Sequence, residues 1–386
     1  MNLAIIRQRY NPFGGAERFI ERAVESLRER GTQVTVITRS WQGASTKGDV
    51  EVCNPFYLGK IWRDWSFARC ARKAIRSPKY DLVQSHERIA GCDIYRAGDG
   101  VHAEWLFQRG RMQSWWQRIL TRFSPYHLFV LAAEKRMFDS PRLRAVICNS
   151  EMVKDEILEH YHLPATILHV VYNGIDTNLF HPRLRQEGGD IKREQLGIPP
   201  GAVIALFVGS GFKRKGLGTA MEALAKSHSG TYLVVVGTDR HAGRYVKLAH
   251  TLGITHRVRL LGGRENILQY YGCADYLILP TLYDPFPNAA LEAMACGLPV
   301  ITTAKCGAAV LVASEKCGVI LEALDVLGFA RSIDSLSQSQ TRAQMSANAR
   351  RAAEALTLDA MAKRLLDLYV ALGASQLPTK VKDSAA

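Results

Sequence analysis

The pattern from which the fold class follows is clearest in Val203-Ile-Ala-Leu-Phe-Val208-Gly209-Ser-Gly211-Phe-Lys213-Arg214-Lys215-Gly216. A continuous apolar run ends at a glycine, and a stretch typical of a helix follows the last glycine. Continuous rather than alternating apolar residues are typical of a parallel strand that is covered on both faces. A strand that leads through a glycine-rich turn into a helix is the repeating unit of an α/β protein.

The same unit recurs along both halves of the chain. Short β-branched runs, each followed by a helical stretch, predict strands at Leu3–Ile6, Gln33–Thr38, Tyr80–Gln84, Ala145–Cys148, Ile167–Val171, Val203–Val208, Tyr232–Val236, Val258–Leu261, Tyr276–Leu279, Val300–Thr303 and Val319–Leu321. This alternation predicts two doubly wound α/β domains with parallel sheets.

The length of 386 residues exceeds what one hydrophobic core usually reaches, so we expect two domains. The best linker is the charged, glycine- and proline-containing stretch His181–Pro200. We predict an N-terminal domain at 1–172, a hinge and linker at 173–200, a C-terminal domain at 201–356, and within 357–386 a helix that packs back on the N-terminal domain before a flexible tail. Two Rossmann-like domains joined by a hinge place the ligand in the cleft between them.

Composition excludes several classes of protein. The longest apolar run, Ala202–Val208, has seven residues, far fewer than the roughly 20 of a spanning helix, so we expect no transmembrane segment. The N-terminus has no apolar core of a secretory signal. Eight scattered cysteines without a C-x-x-C pair exclude the usual zinc spacings and predict reduced thiols in a cytosol.

The charge is the unusual property of this chain. Fifty Lys and Arg against 36 Asp and Glu leave a net charge of +14, which indicates an anionic partner. Nucleic acid, an acidic membrane surface and a phosphorylated small molecule all fit, and composition alone does not choose among them.

Two glycine-containing turns are candidate phosphate sites. Gly14-Gly15 lies between the first strand and a helix, where backbone N–H groups and the helix N-terminus favour an anion. The three cations Lys213, Arg214 and Lys215 stand between glycines after a later strand, where they either grip a pyrophosphate or lie in solvent. A glycine-rich turn without a ligand is the alternative for the first site.

The most specific segment is Asp284-Pro-Phe-Pro-Asn-Ala-Ala-Leu-Glu292-Ala-Met-Ala-Cys-Gly297-Leu-Pro299-Val300. It resembles the E-x7-E motif of the retaining GT-B glycosyltransferases of family four, with Asp at the first acidic position. Phe13-Gly14-Gly15, Asn173-Gly-Ile-Asp176 and the Arg-Lys-Gly turn follow the family's order. An ordinary capped helix followed by a strand is the alternative interpretation.

The resemblance implies a GT-B fold, with two Rossmann-like domains and a cleft between them, and a hexosyltransferase activity. Within the family the chain is similar to the enzymes that add the first glucose to the inner-core heptose of lipopolysaccharide, through Pro12-Phe-Gly-Gly15, Ser40-Trp-Gln-Gly43 and the Arg-Lys-Gly turn. The donor would then be UDP-glucose and the acceptor a lipid-anchored glycan, with retention at the anomeric carbon. Another lipid-linked glycan, such as O-antigen or exopolysaccharide, fits the same motifs.

Individual roles follow from the resemblance alone. Glu292 would hold the ribose hydroxyls, Asp284 the hydroxyls of the donor sugar, and Arg214 and Lys215 the diphosphate. Arg264 either packs the base or lies on the surface. The resemblance gives as donor-binding residues Gly14, Gly15, Gly209, Arg214, Lys215, Arg264, Phe286, Asn288, Ala289 and Glu292, and as catalytic residues Asp99, Arg214, Lys215 and Asp284.

The acceptor side has fewer markers. Asp99 matches an acidic position near the donor sugar in the similar enzymes, while His86 and His102 are further candidates that have purely structural alternatives. No D-x-D triplet occurs, so we expect no metal and no cofactor, and the cations would stabilise the leaving diphosphate. Because Asp is one methylene shorter than Glu, Asp284 would reach less far than the family's residue.

Residues Trp105 to Phe138 combine aromatic and basic side chains against a single acid, Glu134. On a helix, Trp116, Ile119, Leu120 and Phe123 share one side. This pattern indicates attachment to an anionic bilayer. The resemblance implies that this is the cytoplasmic face of the inner membrane of a Gram-negative bacterium. A nucleic-acid patch is a further alternative, but no RNA- or DNA-binding motif accompanies the segment, so we expect no nucleic-acid partner. A packed core helix and a non-enzymatic membrane adaptor are the alternatives. The predicted membrane-facing residues are Trp105, Arg109, Arg111, Trp115, Trp116, Arg118 and Arg122.

Overall fold

Two parallel β-sheets, one in each half of the chain, organise the molecule. The structure is a computed structural model and describes residues 1–10, 32–41, 50–77 and 79–374. The N-terminal sheet has seven strands: β1 Asn2–Ile6, β3 Gln33–Thr38, β5 Val50–Val52, β6 Leu82–Ser85, β7 Ile94–Ala97, β8 Ala145–Cys148 and β9 Leu168–Val170. Two short strands beside it, β2 Arg9–Tyr10 and β4 Ser40–Trp41, form a separate ribbon. The second sheet comprises β10 Ile204–Val208, β11 Tyr232–Val236, β12 Val258–Leu260, β13 Tyr276–Ile278, β14 Val300–Thr303 and β15 Gly318–Leu321.

The strand order places a crevice in each sheet. The N-terminal sheet runs β5-β3-β1-β6-β7-β8-β9, the C-terminal sheet runs β12-β11-β10-β13-β14-β15, and β2 pairs with β4. Every paired strand is parallel. In both sheets the order reverses beside the first strand of that half, β1 or β10, and ligands of such sheets bind outside the carboxyl ends at that point.

The helices cover both faces of these sheets. The N-terminal half has Gly59–Ala74, His102–Gly110, Trp115–Arg122, Pro125–Phe138 and Glu151–Tyr161, with a 3-10 turn at Ala165–Ile167. The C-terminal half has Asp190–Gln195, Phe212–Lys215, Leu217–Lys226, Ala242–Thr251, Leu268–Cys273, Asn288–Ala295, Ala309–Ser314, Val326–Ser337 and Ser339–Glu354, with a 3-10 turn at Thr255–Arg257. The helix Leu358–Ala374 follows. Among the residues described, no helix is both long and apolar enough to cross a membrane.

The last helix belongs spatially to the first sheet. Alternation along β1 sends Leu3 and Ile5 to one face of the sheet. Met361, Leu365 and Tyr369 of the helix Leu358–Ala374 pack on that face and are almost fully buried. The chain therefore crosses between the domains twice.

The two crossings lie side by side. The backbone N–H of Ile175 donates to the Leu356 carbonyl at 2.9 Å, and Ile175 pairs with Thr357 in a parallel bridge. A side chain at Gly174 would place its Cβ 2.7 Å from the Cα of Leu358, so only glycine permits this approach. A hinge between the domains would act on both crossings together.

The predicted linker is not an open connection. A π-helical segment, Arg185–Gly189, continues into the helix Asp190–Gln195. Arg185 and Arg193 both form ion pairs with Asp275, whose side chain is 8% exposed, at 2.8 and 2.7 Å. Part of the stretch predicted as hinge and linker, 173–200, is therefore helical, and two of its arginines are paired within the C-terminal domain.

Further differences from the predicted elements have local causes. Strand β7, Ile94–Ala97, was not expected because its fully buried sequence contains Arg96. Cys53 and Cys70 form a disulfide, which contradicts the expectation of reduced thiols for this pair; the other cysteines are free and buried. The tertiary structure brings the Cα atoms of Cys53 and Cys70 to within 5.8 Å, although 17 residues separate them in the sequence, and their sequence spacing alone does not show this. The predicted tail at 375–386 lies outside the described residues.

Candidate active site

A cationic turn closes the carboxyl end of β10. The short helix Phe212–Lys215 follows the strand and ends at Gly216, which has a φ of +79°. A Cβ at Gly216 would lie 1.8 Å from the Pro280 carbonyl oxygen, so glycine is required on both grounds. The Arg214 carbonyl accepts the Leu282 N–H at 2.9 Å, which fixes this turn to the loop that follows β13.

That loop delivers Asp284 to the two cations. Lys215 Nζ forms an ion pair and hydrogen bond with Asp284 Oδ2, and Arg214 Nη1 lies 3.1 Å from the same oxygen. Asp284 is 6% exposed and Lys215 is 8% exposed. Burial alone would raise the pKa of Asp284, but the charges and hydrogen bonds of Lys215 and Arg214 hold it below its usual value. The carboxylate that the resemblance assigned to sugar hydroxyls is thus bound to both cations in this structure.

The second acidic residue of the motif lies on the following helix. Glu292 is 8% exposed within the helix Asn288–Ala295. Tyr271 Oη donates a hydrogen bond to Glu292 Oε2 at 2.6 Å, which fixes the carboxylate. Tyr271 was not predicted from sequence, because it lies 21 residues upstream in a different helix.

A hydrogen-bonded chain links this helix to the N-terminal domain. Asn173 Nδ2 donates to Asn288 Oδ1 at 2.7 Å, and Arg96 Nη2 donates to Asn173 Oδ1 at 2.7 Å. Arg96 is 6% exposed and Asn173 is 7% exposed, and buried polar groups of this kind need hydrogen-bond partners. Asn288 is therefore positioned by both domains.

A second polar cluster joins the domains beside Asp284. Tyr283 Oη donates to Glu156 at 2.7 Å and accepts the Val101 N–H at 2.9 Å. Lys305 Nζ pairs with Glu156 at 3.0 Å and with Glu104 at 2.8 Å. These contacts hold the carboxyl ends of the two sheets against each other.

On the acceptor side, Asp99 is the accessible acid. Its side chain is 60% exposed and lies 3.9 Å from Arg88 Nη1. Arg88 also donates to the buried Glu134 at 2.7 Å. Asp99 lines a cavity of about 330 Å³ in the N-terminal domain.

The two histidines differ in their surroundings. His86 is buried against Gln84, 2.8 Å away, and burial lowers its pKa well below the usual value, so it stays neutral. His102 lies 3.1 Å from His127 and lines the same cavity as Asp99. Burial, then Arg88, lowers the pKa of His102 to about 3. His102 lines the same cavity as the accessible acid, whereas His86 directly follows β6, where its backbone N–H donates to the Ile6 carbonyl.

The remaining predicted donor-binding residues lie near the carboxyl edge of the C-terminal sheet or outside the residues that the structure describes. Gly209 follows β10, and the Gly209 N–H donates to the Val236 carbonyl at 3.0 Å. Phe286 packs on Tyr172 and is, like Ala289, largely buried. Arg264 is exposed in the loop after β12. Gly14 and Gly15 lie outside the described residues.

The aromatic, basic segment places an uncovered helix on the surface. No residue of the helix Trp115–Arg122 is buried. Its apolar side chains Trp116, Ile119 and Leu120 are 50%, 48% and 65% exposed, and the following Phe123 is 68% exposed. This helix is not a core helix, which was the alternative.

Some residues predicted to face a membrane are engaged within the protein. Arg111 pairs with Glu322 of the C-terminal domain at 2.7 Å, and Arg109 Nη1 lies 3.2 Å from His127. Trp105 is half-buried, while Trp115 is 74% exposed. Arg118 and Arg122 are exposed. For Arg111 the membrane-facing role stays a prediction, and in this structure domain packing supplies its acidic partner.

Comparison with known proteins places the chain in a family. Residues 13–179 match Glycosyltransferase Family 4, and residues 189–352 match Glycosyl transferases group 1. A D-inositol 3-phosphate glycosyltransferase of Mycolicibacterium smegmatis is 30% identical over 389 residues, which cover 90% of this chain and 85% of that protein. The chain belongs to glycosyltransferase family four. The expectations of this family and of a hexosyltransferase enzyme are confirmed.

Two further similarities concern the whole transferase. The lipopolysaccharide glucosyltransferase WaaG of Escherichia coli is 27% identical over 383 residues, which cover 95% of this chain and 98% of that protein. The crystal structure of WaaG superimposes with a TM-score of 0.81 at 26% identity, covering 95% of this chain and 99% of that one. Alr3699/HepE of Anabaena, solved with UDP-glucose, has the same fold, with a TM-score of 0.73 at 21% identity over 96% and 100% of the two chains. The predicted GT-B fold is confirmed.

The inter-domain contacts of this transferase had little signal in the sequence. Tyr283 stands beside a motif residue and was available as a candidate, but its partners Glu156 and Val101 belong to the other domain. Lys305 follows β14 with no motif around it. Its two carboxylate partners become visible only when the domains are placed together.

Proposed function

We propose that this transferase moves glucose from UDP-glucose to the inner-core heptose of lipopolysaccharide, with retention at the anomeric carbon. The observation that carries the proposal is the similarity to WaaG, because it runs through both domains and nearly the full length of each chain. The acid pair Asp284 and Glu292 and the cations Arg214 and Lys215 lie at the carboxyl edge of the C-terminal sheet, where a nucleotide sugar would bind.

In the proposed reaction the bond from the anomeric carbon to the phosphate oxygen breaks as the acceptor hydroxyl oxygen bonds to that carbon. UDP leaves, and its phosphate oxygen takes the proton of the hydroxyl from the same face. Arg214 and Lys215 stabilise the negative charge that develops on the diphosphate. Both are already held by Asp284, so little reorganisation is needed when the anion arrives.

We propose that no metal and no cofactor takes part in this step. The chain lacks the D-x-D triplet that commonly holds a donor-bound cation. Two side-chain cations and the backbone N–H groups of Gly14-Gly15 would supply the positive charge instead. The Glu292 carboxylate would accept hydrogen bonds from the ribose hydroxyls, since Tyr271 leaves it acceptor capacity.

We also propose that the enzyme works on the cytoplasmic face of the inner membrane of a Gram-negative bacterium. The uncovered apolar side of the helix Trp115–Arg122, flanked by Arg118 and Arg122, supports attachment to an anionic bilayer. A lipid-anchored acceptor has to be reached at that surface. Each basic residue near such a surface contributes about 1 kcal/mol of attraction.

The test is calorimetric titration with UDP, GDP and ADP without added metal, followed by transfer assays. We expect binding of UDP, lost in Glu292→Gln and retained in the control Glu194→Gln, whose carboxylate is exposed. Transfer of radiolabelled glucose to heptose-terminated lipopolysaccharide should follow, and NMR of the product should show a retained anomeric configuration.

Two results would reject the proposal. Binding of none of the three nucleotides would remove the donor site as assigned. Binding of UDP with transfer only to a different lipid-linked glycan would keep the enzyme class and replace the acceptor.

A further inference from the structure

A cavity in the N-terminal domain lies between the helices Gly59–Ala74 and Pro125–Phe138. Its volume of about 330 Å³ is in the usual range of small-molecule sites. Aromatic rings, arginines and acids share its lining, a combination suited to a sugar ring with polar substituents. The lining residues used below are Trp65, Arg72, Arg88, Asp99, Tyr126 and Arg136.

One end of this cavity adjoins the donor side. Asp99 lines the cavity, and a Cβ at the next residue, Gly100, would lie 2.1 Å from Tyr283 Oη. Tyr283 precedes Asp284, which pairs with the two cations of the C-terminal domain. A sugar held in the cavity with one hydroxyl at Asp99 would therefore stand next to the donor.

Most charges in the lining are neutralised within the protein. Arg63 pairs with Asp64 at 2.7 Å, and Arg88 pairs with the buried Glu134 at 2.7 Å. Glu87 lies 3.9 Å from Arg7 Nη1 and also accepts the backbone N–H of Gln8 at 2.9 Å. These groups have little charge left to offer a ligand.

Two cations of the lining have no acidic partner among the residues that the structure describes. Arg72 and Arg136 are both exposed. The one hydrogen bond that Arg72 makes to a described residue runs from Nε to the Ala68 carbonyl at 3.2 Å, and it leaves both terminal nitrogens of the guanidinium available. Within the ranges that the structure describes, Arg136 has no ion pair or hydrogen bond of its side chain. Guanidinium groups in this state bind phosphate and carboxylate strongly and in fixed geometry.

We propose that this cavity binds an acceptor sugar that carries anionic substituents, phosphate or carboxylate, through Arg72 and Arg136. The rings of Trp65 and Tyr126 pack on the apolar face of the sugar, and Asp99 accepts the hydroxyl that reacts. The inference rests on the proposed function and narrows its acceptor to an acidic glycan.

The test compares acceptor kinetics of the double variant Arg72→Gln/Arg136→Gln with those of Lys73→Gln/Lys135→Gln. Each control lysine neighbours one of the arginines in sequence and is exposed, yet it is not part of the lining, so the two double variants lose the same charge. The acceptor is deacylated, heptose-terminated lipopolysaccharide oligosaccharide in three forms: native, freed of phosphate with hydrofluoric acid, and reduced at its carboxylates. Deacylation removes the membrane from the assay.

With the native oligosaccharide we expect the arginine variant to raise the acceptor KM at least about tenfold, with kcat within about twofold of wild type. The lysine control should keep the wild-type KM. The difference should vanish on the form that lacks the recognised group, phosphate or carboxylate, which identifies that group.

An equal rise in both double variants, an equal rise on all three oligosaccharides, or no rise overturns the inference. Calorimetric binding of each oligosaccharide without donor repeats the comparison independently of catalysis. If wild type binds UDP but binds none of the oligosaccharides, the cavity assignment is wrong while the donor site stands. If UDP does not bind and the oligosaccharide binds through the arginines, the proposed donor chemistry is wrong and the anionic site stands.

Discussion

The donor-side cluster around Asp284 and the surface helix Trp115–Arg122 both carry basic residues, but in opposite circumstances. In the cluster, Lys215 is 8% exposed and paired with a buried carboxylate. On the helix no residue is buried, and its aromatic side chains meet solvent. The first region has internal partners for its charges, whereas the second has an apolar face without one.

This difference shows how each region would meet a partner. A buried cation is expensive without a counter-charge, and the ion pair with Asp284 holds Lys215 in place before a diphosphate binds. The helix gains free energy only when a surface covers it, because exposed apolar area is unfavourable in water. The cluster suits a small anion of fixed geometry, and the helix suits an extended, fluid surface.

The largest expected effect of a single substitution is at Lys215 in the donor-side cluster. We expect Lys215→Ala to lower kcat by about 10²–10³-fold, the usual effect of removing one preorganised group that stabilises developing charge. It should also cost on the order of 2 kcal/mol of folding free energy, because Asp284 then loses one of the two cations that pair with it among the described residues. Steady-state kinetics at a temperature where circular dichroism shows a folded variant separate the two effects.

Lys213→Ala is the matched control for this prediction. Lys213 belongs to the same short helix but is exposed, so both kcat and Tm should stay near wild type. Near-normal turnover of Lys215→Ala, or an equal loss in Lys213→Ala, would show that the cluster does not act on the leaving group.

The surface helix gives the second contrast. Trp116→Ser/Phe123→Ser should weaken binding to vesicles of anionic lipid about 30-fold, since two aromatic side chains no longer enter the interface. Arg111→Gln should leave vesicle binding unchanged, because Arg111 is paired with Glu322. Co-sedimentation across a series of lipid concentrations measures both.

Salt dependence sharpens this contrast. Arg118→Gln/Arg122→Gln should weaken binding mainly at low ionic strength, because exposed charges are screened by salt. If Arg111→Gln weakened binding as much as this pair does, the helix would not be the membrane contact. Wild-type affinity for neutral vesicles equal to that for anionic ones would have the same consequence.

The smallest predicted effect concerns pH. The folded pKa of Asp284 lies below its unfolded value, near 3.9, so its ion pairs stabilise the fold fully above that value. The contribution is lost as the pH falls through the lowered folded pKa. The difference in Tm between wild type and Asp284→Asn should stay constant from pH 7 to 5. Toward pH 3 it should shrink by an amount that corresponds to a loss on the order of 1 kcal/mol in unfolding free energy. Scanning calorimetry at intervals of half a pH unit measures this difference. A difference that stayed constant down to pH 3 would contradict the assignment of the lowered pKa to the ion pairs of Asp284.

Much of the fold was predictable from local pattern. Buried parallel strands need continuous apolar runs, and Gln33–Thr38, Ala145–Cys148, Tyr232–Val236 and Val300–Thr303 have the predicted bounds. Strand β7 was missed because Arg96 interrupts its apolar run, and the buried guanidinium is hydrogen-bonded to Asn173, which lies 77 residues away in the sequence. The ion pairs of Arg185 and Arg193, within the stretch predicted as linker, were likewise not visible, since Asp275 lies far away in the sequence.

In the candidate site, too, the residue types were visible in the sequence, whereas their contacts were not. Asp284, Glu292, Arg214 and Lys215 stand in short motifs, so their types and spacing were visible without a structure. The contact of Asp284 with both cations was not visible, because 69 residues separate it from Lys215. Neither was the donation from Tyr271 to Glu292.

The sequence by itself determined the α/β class, the glycosyltransferase family and the identities of the residues at the donor edge, because strand burial, glycine turns and motif spacing are local properties. Only the tertiary structure decided which charges have partners: Arg111 paired with Glu322, Lys305 joining Glu104 to Glu156, and Arg72 exposed beside a cavity. The physical reason is that the energy of a charge depends on its distance to other charges and on its burial, and folding sets both across long separations in sequence.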